Sequence, residues 1–388
     1  MHRVTTTWYL AMTKLRSYLC ISDVHLGSRS TTANEILDHL TEFFGDFRAD
    51  SPLASIDVLF IAGDLWDDTL QFSSDVLGLF IPWFHRLMNW AGRNNIKIRI
   101  MEGTPRHDRL QGMTVQKIAE PFLDRVDFKY VPLLSIEHIQ DLDLNVLYVP
   151  DECRPTADAV ARDVEALFGE HGLDKVDIAI MHGMFKYQMG KIPMNAKVHD
   201  ENWYLERVKH YINIGHVHTA SQCGRILAQG SFDRLNHGEE EPKGAILIKE
   251  LSPGEWGHFF IQNPKAKTYK TVQVKGDIDK ALKAIDASIS KLPHGSYVRI
   301  QALATHPIFQ GFETLRRRYP LFTFSKKAVA EDEEVVQRDK ENLADYIPIV
   351  LNRETLTEAI FGEVTVQGEL DPNEESKLYQ LLEKLHES

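Results

Sequence analysis

Five short motifs of aspartate and histidine lie within the first 220 or so residues, and each follows a segment with the pattern of a β-strand. In α/β proteins, ligands bind beyond the carboxyl ends of the strands. Because all five motifs have that position, we expect their side chains to converge. The motifs are, in chain order, Asp23-Val24-His25-Leu26-Gly27, Gly63-Asp64-Leu65-Trp66-Asp67, Gly103-Thr104-Pro105-Arg106-His107-Asp108, His182-Gly183 and Gly215-His216-Val217-His218.

The residue types in these motifs are ligands for divalent metal ions. Carboxylates and imidazoles without a thiolate suit manganese, iron or zinc. In an extended segment residues i and i+2 point the same way, so Asp23 with His25, and His216 with His218, can each aim two ligands at one centre. Asp64 has two carboxylate oxygens and can bridge two ions. Ions about 3.5–4 Å apart can hold both the attacking and the leaving oxygen of a phosphoryl displacement, so the motifs predict a two-metal phosphoesterase.

The elements that must position these motifs follow from the alternation of strand-like and helix-like segments, which indicates α/β layers. Amphipathic stretches predict helices at 33–47, 75–90 and 156–168, and Pro82 is expected to kink or split the second helix. Apolar or alternating runs predict strands at Ser17–Ser22, Ile56–Ala62, Ile96–Met101, Asn145–Val149, Val176–Met181, Tyr211–Ile214, Arg225–Gln229, Gly244–Lys249 and Trp256–Ile261.

The sequence changes in character near Asn263-Pro264, so we assign residues 1–263 to a first domain. A β-α-β-like piece follows, which predicts a small α/β domain over residues 264–330. Residues 331–388 are predicted to be a linker and a helical segment, whose last helix, 371–386, has the N-cap residue Asp371. A basic patch in the small domain is a candidate for phosphate or DNA contact, and a solvated helix end is the alternative: Arg316, Arg317 and Arg318.

The bulk composition bounds the function. The net charge is −12, from 44 basic and 56 acidic residues, which counts against an extended nucleic-acid surface but leaves a local patch, bound cations or a partner to supply positive charge. The three cysteines form no CxxC pair, which argues against a disulfide framework and a cysteine zinc site. We expect no signal peptide and no membrane span, and therefore a cytoplasmic protein.

The ordered motifs resemble those of the calcineurin-like metallophosphoesterase superfamily over about residues 17–250: Asp-x-His, Gly-Asp-x-x-Asp, Gly-Asn-His-Asp/Glu, His and Gly-His-x-His. The resemblance implies an α/β fold, a four-layer α-β-β-α sandwich. It implies that His107 lies over the scissile phosphate and that Asp108 orients it. It also implies a first metal held by Asp23, His25, Asp64 and His218 and a second held by Asp64, His182 and His216.

The third motif departs from the family pattern. The family expects an asparagine, which ligates the second metal, immediately before His107, and Arg106 stands there instead. Arg106 cannot bind a cation but can contact a phosphate. Either the hydroxyl or carbonyl of Thr104 reaches the metal in place of the asparagine, or the second site binds more weakly.

A second stretch is similar to one branch of the superfamily. Residues 229–244 resemble the Gly-Ser-x-x-Arg…Glu-Glu…Lys-Gly segment of SbcD-type DNA repair nucleases. The Gly-Thr-Pro-x-His-Asp form of the third motif, followed by Val149-Pro150-Asp151-Glu152, is similar to prokaryotic and phage-borne branches of that group. The resemblance implies a manganese-dependent DNA exonuclease and endonuclease with a small capping domain. It also implies partners: DNA, an SbcC-type coiled-coil ATPase docked on the C-terminal helices, and a second copy in a homodimer. Candidates for the dimer contact that the sequence does not distinguish from core are Trp83, Phe84, Met88 and Trp90.

Two other functions stay open. One is a phosphatase or cyclic-nucleotide phosphodiesterase on the same metals, and the other is a metal-bearing scaffold that binds an ATPase without catalysis. The segment 229–244 and the C-terminal extension favour the nuclease. The presence of His107 and Asp108 argues against the scaffold, since neither is needed merely to hold metal.

Overall fold

The computed structural model describes residues 15–28, 30–70, 74–151, 154–190 and 197–329. The predicted segment 331–388, with its helix at 371–386, lies outside them. The helices are α1 (Ala33–Phe43), α2 (Asp75–Asn94), α3 (Gly112–Ala119), α4 (Ala157–His171), α5 (Glu201–Leu205), α6 (Ile278–Ile289) and α7 (Phe312–Arg318). The strands are β1 (Ser17–Ile21), β2 (Val58–Ala62), β3 (Lys97–Met101), β4 (Phe128–Val131), β5 (Ser135–Ile139), β6 (Leu144–Val149), β7 (Ile178–His182), β8 (Ile212–Gly215), β9 (Ser221–Cys223), β10 (Ile226–Ala228), β11 (Gly244–Ser252), β12 (Glu255–Gln262), β13 (Tyr269–Gln273), β14 (Tyr297–Leu303) and β15 (Thr323–Val329).

Two six-stranded sheets contain the motif-bearing strands. The first has the order β12-β11-β1-β2-β3-β4, with β1 to β4 parallel. The second has the order β5-β6-β7-β8-β10-β9, with β6, β7, β8 and β10 parallel. The remaining strands pair antiparallel, so both sheets are mixed and the expected α/β class is confirmed. Each predicted strand before residue 263 is present, with ends within three residues of the prediction.

The two sheets share an aromatic and aliphatic core. The ring of Phe60 in the first sheet lies 5.4 Å from Tyr18 and 6.2 Å from Tyr148 in the second sheet, and all three side chains are buried. The Tyr18 hydroxyl donates to Asn213 Oδ1 across the layer, at 3.2 Å. The other face of the first sheet packs on α1, α2 and α3, and that of the second sheet packs on α4.

Helix α2 runs unbroken through Pro82, so this proline does not split the helix, which was one of the two effects expected of it. A proline inside a helix removes one hydrogen bond and crowds the carbonyl four residues earlier, here that of Gly78. Both residues are exposed, so water can satisfy that carbonyl. The opposite face buries Phe84, Leu87 and other apolar side chains, and this packing holds the helix together.

A third, three-stranded parallel sheet follows residue 263, in the part of the chain where a small α/β domain was expected. Its order is β13-β14-β15, with α6 and α7 as the connections. Both helices pack on the same face, against Val272, Ile300 and Phe324 among others. Strand β15 was missed, because alternation in Thr323–Val329 is obscured by Lys326 and Lys327.

The four residues considered for a dimer contact are core residues. Trp83, Phe84, Met88 and Trp90 are at most 6% exposed and pack within one chain. They therefore give no support to a contact between copies. No helix in the described ranges has the length and apolar character that a bilayer crossing requires.

Replacing Gly78 by alanine is expected to stabilise the protein. The glycine lies inside α2, and a Cβ there meets nothing within 4 Å. Alanine at such a position gains roughly 0.5–1 kcal/mol of helix stability. The measurement is the midpoint of urea unfolding followed by circular dichroism. As a control, Gly112→Ala places a methyl group 2.1 Å from a Tyr130 ring carbon and should lower the midpoint. A lower midpoint for Gly78→Ala would contradict the helix assignment.

Candidate metal centre

The aspartate and histidine motifs meet where the carboxyl ends of the two large sheets face each other. The loops after β1, β2 and β3 belong to the first sheet, and those after β7 and β8 to the second. The backbone N–H of His216 donates to both carboxylate oxygens of Asp23, at 3.1 and 3.0 Å, and so joins the two sheets. The backbone N–H of His25 donates to the carbonyl of Asp64 at 3.0 Å. The convergence expected from the order of the motifs is present.

Four of the candidate ligands have a left-handed backbone. The φ angles are 51° at Asp23, 49° at His25, 50° at Asp64 and 96° at His216. Non-glycine residues rarely adopt this conformation, which costs about 1–3 kcal/mol at each position. Such strain persists where the surrounding structure enforces it, and it is typical of functional sites.

The first group of ligand atoms comes from Asp23, His25 and His218, and all of them lie within 4.8 Å of one another. The Nε2 atoms of the two histidines are 3.2 Å apart. Asp23 Oδ1 lies 4.0 Å from Nε2 of His25 and 3.8 Å from Nε2 of His218. Ligands of one first-row cation, each about 2.0–2.2 Å from it, have separations of this size.

The second group comes from Asp64, His182 and His216. Asp64 Oδ1 lies 3.3 Å from His182 Nε2. The hydroxyl of Thr104 lies 3.1 Å from Asp64 Oδ2 and 3.3 Å from a ring nitrogen of each histidine. A neutral oxygen therefore stands among these candidate ligands.

Asp64 faces both groups. Its Oδ1 is the oxygen near His182, and its Oδ2 lies 3.8 Å from His25 Nε2. This is the placement expected of a bridging carboxylate. Glycines allow this approach, because a Cβ on Gly63 would lie 2.3 Å from His182 Nδ1 and one on Gly103 would lie 2.1 Å from the Asp64 nitrogen.

Two of the histidines are oriented by contacts of their Nδ1 atoms. His182 Nδ1 donates to the carbonyl of Ala62 at 2.8 Å, which leaves Nε2 facing Asp64. His218 Nδ1 lies 3.3 Å from Glu239 Oε1, and the buried Lys243 ammonium donates to the His218 carbonyl at 2.8 Å and pairs with Glu239 at 3.0 Å. Such contacts orient a metal-ligating imidazole and raise its basicity. Sequence reasoning placed Glu239 and Lys243 in the 229–244 segment but did not assign these contacts.

His107 lies beside the first group. Its ring is 4.8 Å from that of His25, edge to face, and its Nδ1 donates to the carbonyl oxygen of Asp67. This hydrogen bond leaves Nε2 available to a ligand. The ring is half-buried, so a substrate can reach it.

Asp108 forms no hydrogen bond or ion pair with the His107 ring among the described residues, so the structure gives the expected orienting role no direct support. Its carboxylate instead accepts from the backbone N–H groups of Gly103 at 2.7 Å and of Asp64 and Trp66 at 3.0 Å. Adjacent residues in this turn point in different directions. Asp108 therefore ties the loop after β2 to the loop after β3, and burial together with the Asp64 charge raises its pKa to about 8.

The pKa shifts of Asp64 and His182 indicate that positive charge stabilises the second group. Burial would raise the pKa of Asp64, but the imidazoles of His182 and His25 hold it well below its usual range. Burial opposes protonation of His182, yet the Asp64 carboxylate raises the His182 pKa to about 10. A divalent cation supplies positive charge at this position more strongly than a proton does.

The arginines predicted to contact phosphate or DNA lie in two separate parts of the chain, at residue 106 and at residues 316–318. Arg106 is exposed on the loop that carries His107. Arg316 pairs with Glu313 at 3.2 Å and Arg318 pairs with Asp286 at 3.2 Å, so two of the three patch arginines at the end of α7 are already engaged. In the part of the chain described, no contact joins that patch to the metal ligands.

No protein-family model matches the chain. A crystal structure of another protein aligns at 12% sequence identity with a TM-score of 0.39, over 63% of this chain and 99% of its own. An alignment at this level defines neither fold nor function.

Thr104→Ala is expected to weaken the binding of one of two Mn²⁺ ions, because it removes the neutral oxygen from the second group. Isothermal titration calorimetry of the metal-free protein would measure both affinities. Thr104→Ser keeps the hydroxyl and is the matched control. Equal affinities in the alanine variant and the parent would show that this hydroxyl is not a ligand.

Glu239→Gln is expected to weaken the binding of Mn²⁺ at the first group by about 10- to 100-fold, because it removes the negative charge that contacts His218 Nδ1. The same titration reports it, and Asp38→Asn, an exposed carboxylate on α1, serves as a control. Weaker binding of Mn²⁺ at the second group instead would contradict the assignment of His218 to the first group.

Proposed function

We propose that the chain is a two-metal phosphodiesterase with a calcineurin-like α-β-β-α sandwich, acting on DNA as an SbcD-type nuclease. The observation that carries the proposal is the convergence of six predicted ligands from the ends of four strands, four of the six on strained backbone. A fold that needed these residues only for packing would gain nothing from that strain.

The donor set fits two divalent cations. Asp23, His25, Asp64 and His218 would hold one, and Asp64, His182 and His216 with the Thr104 hydroxyl would hold the other. Asp23 and His182 are fully buried, and such groups need a partner charge. Oxygen and imidazole ligands without sulfur suit manganese, iron or zinc, and the resemblance to SbcD-type nucleases favours manganese.

When bound, two divalent cations activate water and neutralise charge on a phosphodiester. The chain's own part is to place acid and phosphate contacts beside them. His107, fixed through Nδ1 by the Asp67 carbonyl, has Nε2 free to give a proton to the leaving oxygen. Arg106, exposed on the same loop, can contact a phosphate oxygen.

The segment 229–244, whose resemblance to SbcD-type nucleases supports DNA as the substrate, also contacts the linker to the small domain. Arg234 donates to the carbonyls of Lys267 and Glu241 at 2.8 Å, and so ties the linker before β13 to the loop that carries Glu239. The small domain is thus held beside the metal centre, where it can extend the substrate-binding surface. The proposed ATPase contact falls on residues 331–388, outside those described, and the homodimer stays a proposal.

A small phosphodiester is the second candidate substrate. The ion pairs of Arg316 and Arg318 within the small domain favour it, because they leave fewer free cations for a polynucleotide.

The deciding experiment incubates the purified chain with linear double-stranded DNA, single-stranded DNA and a bis-aryl phosphate ester, in Mn²⁺ and in EDTA. We expect DNA hydrolysis that needs Mn²⁺. Ester hydrolysis with intact DNA would favour the small substrate, and no hydrolysis of either would refute the proposal.

Two variants separate binding from chemistry in that assay. Asp64→Ala should lose Mn²⁺ at both groups and all hydrolysis, because its two oxygens serve both. His107→Gln should keep both ions, counted by calorimetry, but lose about 10²–10⁴-fold in rate, the usual contribution of a general acid. If His107→Gln loses an ion, the residue is a ligand and its role as an acid is refuted.

A further inference from the structure

The small domain leaves one face of its sheet without helices. Val298, Ile300 and Phe324 point toward α6 and α7, so the alternate residues of each strand lie on the opposite face. Strand register places three of these side by side in one row, with Thr271 on β13 next to Arg299 on β14, and Arg299 next to Ser325 on β15.

His237 lies over this row. Its Nε2 is 3.5 Å from the Ser325 hydroxyl at one end, and its ring is 4.9 Å from that of Tyr269, two residues before Thr271, at the other. Arg299 occupies the strand between these contacts, so its side chain lies beside the imidazole.

Three polar atoms in this place are buried and have no hydrogen-bond partner within the described residues: Arg299 Nε, Thr271 Oγ1 and His237 Nδ1. Buried donors without partners are rare and call for an explanation. Arg299 also forms no ion pair with a described carboxylate, and burial alone lowers its pKa. All three groups can donate, which is the arrangement that an oxyanion requires.

One carboxylate near this row, that of Glu240, is already engaged. Glu240 Oε2 pairs with the Lys270 ammonium at 2.5 Å, and its Oε1 accepts weakly from the Thr271 backbone at 3.5 Å. Its charge is therefore offset locally, and the Arg299 charge stays available to a ligand.

We propose that Arg299, Thr271 and His237 form a phosphate-binding site that takes a backbone phosphate of DNA. The site rests on the proposed function for the identity of its ligand. Only Gly238 separates His237 from Glu239, which contacts His218, so no more than about 7 Å of backbone links the two places. A DNA strand carries one phosphate for each ~3.4 Å of its axis, so a strand at the metal centre presents other phosphates within reach.

The test uses the full chain and a fluorescent DNA duplex, with anisotropy measured in EDTA over a range of salt concentrations. Arg299→Gln should weaken binding about tenfold and lower the slope of log affinity against log salt by about one. Arg299→Lys keeps the charge, and its affinity for the duplex should lie between those of the parent and of Arg299→Gln. The control Arg162→Gln removes an exposed arginine of α4 and should match the parent. Circular dichroism confirms folding.

The outcomes separate this site from the catalytic proposal. Arg299→Gln that binds DNA like Arg162→Gln overturns the site. If inorganic phosphate binds the parent but not Arg299→Gln by calorimetry, while both bind DNA equally, the ligand is a free phosphate and the DNA assignment is overturned. A parent chain that hydrolyses nothing in Mn²⁺, yet binds DNA through Arg299 in EDTA, refutes the catalytic function and leaves this site standing.

Discussion

Face-to-face packing of the two large sheets is the constraint on which the candidate centre depends. Asp23, His25 and Asp64 follow strands of the first sheet, and His182, His216 and His218 follow strands of the second. Neither sheet alone carries the whole of the first group or the whole of the second group. The buried layer of aromatic rings between the sheets therefore sets the distances at the metal centre, although it lies beneath it. A change that shifted one sheet against the other would separate ligands without altering any of them.

Much of this arrangement follows from the sequence for a physical reason. Strand ends are marked by the change from buried apolar residues to Asp, His and Gly, and parallel strands bring those ends to one edge. The five motifs could therefore be named from residue type and position, and the family resemblance singled out six of their residues as candidate ligands. The partition of Asp64 between two groups followed from the family resemblance, and the distances from Asp64 to His182 and His25 agree with it.

The parts that could not be predicted depend on contacts remote in sequence. Asp108 stands next to His107 in the chain, yet its carboxylate points to the backbone of two other loops, a direction that adjacency does not encode. Glu239 lies 21 residues after His218 and reaches it only because β11 returns the chain to the first sheet. The rule that a proline splits a helix does not predict the state of α2 at Pro82, because the sequence alone does not show that Pro82 and Gly78 lie on its exposed face.

The proximity of His237 to Glu239 has a thermodynamic consequence. The residue between them, Gly238, has a φ of 112°, and one short turn carries both a contact to the small-domain sheet and a contact to the imidazole of the candidate ligand His218. If an anion and a cation bind as proposed, this turn would link their two sites. If an anion bound at Arg299 changes the affinity for a cation at His218 by some factor, the bound cation changes the affinity for the anion by the same factor. Substrate length and metal affinity would then be coupled properties, and a short ester would not report the affinity that a long strand experiences.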